Sequence, residues 1–138
     1  MNNPRRRDLA LLALVASKTA AAATERKKLP SMNYVFEDLK VKANGGRDVF
    51  DGLTHSGHQV DIHETELAPG KAPHAPHKHV HEEIVMVREG TLEIIIGGTI
   101  TTATPGSVVY VASNDFHGWK NSGSTKAHYF VLALGRES

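Results

Sequence analysis

The chain has 138 residues and a mass of 15.0 kDa, room for one domain of ordinary size and not for two. It carries no Cys and nine His, which excludes a disulfide framework, a thiolate nucleophile and thiolate metal sites, so any metal must be held by imidazole and carboxylate. The net charge of +1 splits into +3 over residues 1–23, where Arg5, Arg6, Arg7 and Lys18 stand against Asp8, and −2 over the rest; a slightly acidic body has no nucleic-acid footprint.

In chain order, Arg5-Arg6-Arg7 leads into the apolar run Leu9 to Ala16, then Ser17-Lys18-Thr19 and the small residues Ala20 to Ala23. That order of parts is the one expected of a secretory signal peptide. Eight apolar residues fall well short of the roughly 20 that span a bilayer, so no permanent membrane anchor is expected. Arg6-Arg7-Asp8-Leu9 resembles a twin-arginine signal, with Arg5 in the place of the usual Ser or Thr. The resemblance implies an exported protein, periplasmic or secreted, with residues 1–23 removed after Ala22 or Ala23. Residues 24–33 follow as a linker, with Glu25 to Pro30 polar and exposed, and residues 34–138 form the folded domain.

That domain reads as all-β. Short runs rich in β-branched and aromatic residues are expected as strands at Tyr34–Leu39, Asp48–Phe50, Gln59–Leu67, Glu83–Arg88, Leu92–Ile96, Thr99–Ala103, Ser107–Val111, His117–Lys120 and Lys126–Leu134. Turn residues separate them, and Ile96-Gly97-Gly98-Thr99 is a tight hairpin, because two adjacent Gly take the positive φ of a primed turn at no steric cost. No internal repeat is present, so one antiparallel sandwich or barrel is expected.

Between Gly70 and Gly90 stand His74, His77, His79 and His81, then Glu82 and Glu83. In extended chain His77, His79, His81 and Glu83 share a face with Val85 and Val87. Several imidazoles on an apolar face are costly to bury unless they are paired or bind a cation. Their spacing, H-x-H-x(3)-E-x(6)-G at His77, His79, Glu83 and Gly90, is similar to the first signature of the cupin family, and Gly106, His117 and Asn121 fall on its second. Ala112 and Asn114 depart from that second signature, where the family has Pro and Gly; Asn tolerates the left-handed conformation that such a Gly supplies.

The resemblance, over about residues 59 to 134, implies a single-domain antiparallel jelly-roll barrel whose metal ligands are His77, His79, Glu83 and His117. The metal would be a divalent transition ion, Mn, Fe, Ni, Cu or Zn, with two coordination positions left for substrate. His81 is expected to turn away, since the family has a non-ligand there, and His74 to lie in an exposed loop. Glu82 is expected on the solvated outer face. Trp119, Asn121 and Phe130 are candidates for the pocket wall, and His63 and His128 for a catalytic acid or base. Arg88, of opposite parity to Glu83, points away from the barrel, so no interior cation is expected to clamp a dicarboxylate. The function expected is that of a metal-dependent enzyme on a small organic substrate, a dioxygenase or related oxidoreductase ahead of an isomerase or decarboxylase, with a homodimer as its assembly. The alternative is a non-catalytic cupin that binds or senses a metal or small ligand.

Overall fold

Strands β1 (Arg47–Leu53), β2 (Gln59–Leu67), β3 (Glu82–Glu89), β4 (Leu92–Ile96), β5 (Thr99–Ala103), β6 (Val108–Val111), β7 (His117–Asn121) and β8 (Ala127–Leu134) make up the fold. They are seen in a computed structural model that describes residues 25–135; the expected signal segment, 1–23, lies outside the described residues. The strands pair antiparallel in two sheets, one ordered β1-β2-β8-β3-β6 and the other β5-β4-β7. This is the expected all-β jelly roll.

The sheets face each other across an apolar interior. Val85, Val87, Val111, Ala127, Tyr129 and Val131 line it from the large sheet, and Leu92, Ile94 and Trp119 from the small one, all buried. Each strand alternates, so Glu83, Val85 and Val87 of β3 point inward while Ile84 and Met86 are half-buried on the outer side. Burying these side chains is the main stabilisation, at roughly 25 cal/mol per Å² of apolar surface removed from water.

Two backbone features place the site. Gly90 has φ 80°, and a Cβ on it would lie 2.7 Å from both Ala127 Cα and Lys126 O, so only glycine lets the β3–β4 turn pack on the start of β8. Asn114 has φ 64°, and its N–H donates to His79 O at 2.7 Å, tying the turn before β7 to the histidine segment. The left-handed Asn expected there is what the structure contains.

Two local expectations are corrected. Tyr34–Leu39 is not a strand: Phe36–Asp38 form one 3-10 turn, and the segment lies as a strap over the outer face of the large sheet. Tyr34 packs on Phe50 at 5.0 Å, and Phe36 meets Phe130 edge-on at 6.3 Å between the guanidinium groups of Arg47 and Arg88, at 4.3 and 4.5 Å. The 25–30 segment is more than an exposed linker. Leu53 N donates to Lys27 O (2.9 Å) and Leu29 N to Leu53 O (2.8 Å), so the segment adds to the edge of β1 in parallel. Leu29 settles where Gly52 has no side chain, since a Cβ there would meet Leu29 at 2.8 Å.

Candidate metal centre

His77 does not belong to a regular strand, yet its backbone exchanges two hydrogen bonds with His117 of β7, at 2.9 and 2.8 Å. That bridge holds the histidine segment against the small sheet, facing Glu83 at the start of β3. The ligand-capable nitrogens of His77, His79 and His117 lie within 4.8 Å of one another. Glu83 Oε2 is 3.2 Å from His117 Nε2 and 3.4 Å from His79 Nε2. The structure thus brings together the four residues singled out by spacing.

The hydrogen bonds around this cluster fix its chemistry. His79 Nδ1–H donates to His81 O and His117 Nδ1–H to Asp115 O, both at 2.8 Å. A neutral imidazole carries one proton, so each ring turns a bare Nε2 lone pair inward. Those two Nε2 atoms and Glu83 Oε2 are buried and have no hydrogen-bond partner. Three acceptors converging with nothing donated between them repel one another and call for a cation. The pKa of His77 is held below the usual imidazole range by burial, with His74 and His117 adding to the effect. Three imidazoles and a carboxylate fit a divalent transition ion, and the His and Glu groups present can hold one.

A cavity of about 470 Å³ opens beside the cluster, lined by His63, Thr65, Glu83, Trp119, Tyr129 and Val131. Trp119 stacks at 5.8 Å on the His117 ring and donates Nε1–H to Tyr129 Oη at 2.9 Å. Burial pushes the Tyr129 hydroxyl up to about 12. His63 lies on the inward face of β2, and its Nδ1–H donates to Asp61 Oδ1 at 2.9 Å. Lys42 also lines the cavity, bound to Asp48 at 2.8 Å, a cation that the sequence reading did not place there. Glu82 lies on the outer side, accepting from Tyr110 Oη at 2.8 Å.

Four of the remaining expectations are corrected. Phe130 does not reach the pocket, because Ala127, Tyr129 and Val131 take the inward positions of β8 and leave Phe130 to the strap. His128 shares that outer face, where its Nδ1–H donates to the buried Glu64 at 2.9 Å, so it lies away from the cavity beside the cluster. Asn121 is fully buried but holds the fold: Nδ2 donates to Leu67 O (2.9 Å) and Thr125 O (2.7 Å), and Oδ1 accepts from Gly123 N (2.9 Å). His81 is not turned away; its Nε2 lies 3.5 Å from Glu83 Oε1. His74 is exposed as expected, yet its ring meets His77 at 4.3 Å, closing the cluster's outer side. Sequence reasoning missed Tyr129 as a wall residue. The sequence carried no sign of this, since both faces of β8 are apolar.

Residues 63–133 match the family described as Cupin domain, and the chain belongs to that family. No curated protein matches it. Its fold is shared with a Cupin 2 conserved barrel domain protein from Salinispora arenicola, at 18% identity over 76% of this chain and 88% of that one, with a TM-score of 0.57. It is shared also with the polyketide cyclase RemF from Streptomyces resistomycificus, at 18% identity over 79% and 81% of the two chains (TM-score 0.61). A predicted oxalate decarboxylase from Thermotoga maritima is similar at 16% identity over 76% of this chain and all of its own, 100% (TM-score 0.58).

Proposed function

We propose that this cupin is an exported metal-dependent enzyme, a dioxygenase or related oxidoreductase, acting on a small organic molecule bound in the cavity beside His77, His79, Glu83 and His117. One observation carries the reading: the buried acceptors His79 Nε2, His117 Nε2 and Glu83 Oε2 converge with no donor among them. A bound ion would polarise the substrate's oxygen atoms and, if redox-active, exchange electrons with substrate or dioxygen.

The chain's own residues supply the rest. Trp119, Tyr129 and Val131 form a wall against one side of the substrate and exclude water from it. His63 is the group that takes or returns a proton, since Asp61 occupies its Nδ1–H and leaves Nε2 as the acceptor. A dicarboxylate is disfavoured, because Lys42 is already paired with Asp48 and Arg88 lies on the opposite face under Phe36. Export rests on the sequence of residues 1–23 alone, with its paired Arg and short apolar run.

The test is to strip the protein with chelator, reload it separately with Mn, Fe, Co, Ni, Cu and Zn, and follow dioxygen uptake with enol, catechol and 1,3-diketone substrates. The reading expects uptake with a redox-active ion and one substrate class, absent with Zn and lost in His117→Ala. Tight ligand binding without conversion under every ion would replace it with the binding-module alternative.

A further inference from the structure

The polar contacts of the cluster do not end with its four ligands. His81 sits just before β3, its side chain only 13% exposed, and touches two of the four in three ways. Its carbonyl accepts the Nδ1–H of His79 at 2.8 Å. Its ring lies parallel to that of His79, at 3.5 Å between centroids and 7° between planes. Its Nε2 lies 3.5 Å from Glu83 Oε1, whereas His79 and His117 come nearest to Oε2. His81 Nδ1 is buried without a partner, which leaves Glu83 as the ring's polar contact.

We infer that His81 is a positioning residue for the metal centre, presenting Nε2–H to Glu83 Oε1 so that the carboxylate offers Oε2 alone, and bracing the face of His79. The inference rests on the proposed metal site and assigns a role to a residue outside the four ligands. Its physical basis is the division of one carboxylate between two directions. A carboxylate free on both oxygens can swing or bind an ion through both of them, whereas one whose outer oxygen faces an N–H is held to one orientation. At 3.5 Å the approach is a charge–dipole contact, at the outer limit of a hydrogen bond. The 13% exposure of His81 and 12% of Glu83 keep water from competing strongly for either group. The ligand-capable atoms of His79, His81 and Glu83 also lie within 4.8 Å of one another, so a fifth ligand is the alternative role that the test separates from positioning.

The test uses the full chain, stripped with chelator and titrated with Co²⁺ alone, comparing His81→Phe, which keeps a flat ring, with His81→Gln, which keeps a donor near the Nε2 position. Affinity should fall by about 10- to 100-fold in His81→Phe, the usual cost of losing an outer-shell partner, and by no more than about 3-fold in His81→Gln. The visible Co²⁺ bands of His81→Phe should weaken as the carboxylate turns bidentate and coordination rises. If His81→Phe does not fold, His81→Asn, whose amide falls short of Glu83, gives the same contrast against His81→Gln. Phe binding as well as His while Gln fails would overturn the inference in favour of ring packing. Loss of one imidazole from the coordination shell of His81→Gln, counted by X-ray absorption, would overturn it in favour of a fifth ligand. If the unmutated chain binds no Co²⁺, or binds it equally after His117→Ala, the metal site itself fails and the inference with it.

Discussion

Glu83 is the residue on which stability and function are set against each other. Its Oε2 faces two imidazole lone pairs, so without a cation the cluster carries an electrostatic cost. Glu83→Gln turns one of those contacts into a donated hydrogen bond, and should stabilise the metal-free protein by about 1 kcal/mol in urea unfolding while abolishing tight metal binding. A lower midpoint in chelator would show that the cluster is satisfied without an ion. Asn121 gives the opposite case, since nothing about it is held in reserve. Asn121→Ala strips donors from Leu67 O and Thr125 O in a fully buried position and should cost about 2–4 kcal/mol, read from the same urea midpoint. Its metal affinity, once folded, should stay near that of the unmutated chain.

At the level of the elements, β2, β4 and β5 were located to the residue because each is a short run rich in β-branched residues bounded by turn residues. The ligand set was legible for a different reason: His77, His79, Glu83 and His117 are spaced by the geometry they serve, and spacing is what a sequence displays. Patterning failed at β8, where Phe130 and Leu132 on one face are as apolar as Tyr129 and Val131 on the other, so alternation could not say which side is inside. It failed again at Tyr34–Leu39, whose two aromatics two positions apart imitate a strand but serve a strap. It could not reveal His81 either, because the contact with Glu83 depends on how the chain bends before β3. The strap has a measurable share in the fold. Phe36→Ala should lower stability by about 2 kcal/mol, part of the usual cost of truncating a buried Phe, since Phe36 is half-buried between Arg47 and Arg88. Metal affinity should not follow, as the strap lies on the far side of the sheet from the cluster.

Across the whole molecule, the interior sets how stability responds to alkali. Tyr129 is raised from 10.0 to about 12, so the folded state holds the phenolic proton more tightly than the unfolded chain does. Its contribution is fully present below pH 10 and is lost as pH rises through about 12, a fall of about 2–3 kcal/mol. Urea midpoints of the unmutated chain and Tyr129→Phe should converge over that window, the mutant starting lower because Trp119 Nε1–H loses its acceptor. Parallel curves would reject the assignment. The same pair of residues has an optical consequence. The chain contains one tryptophan, and that indole lies against His117. Its fluorescence is therefore a gauge of what occupies the cluster, built in without a label. Ions with partly filled d shells, such as Cu²⁺ or Co²⁺, should quench the emission through short-range electron or energy transfer. Closed-shell Zn²⁺ should leave its intensity nearly untouched while displacing the quenchers, so a competition titration can rank the metals by light alone.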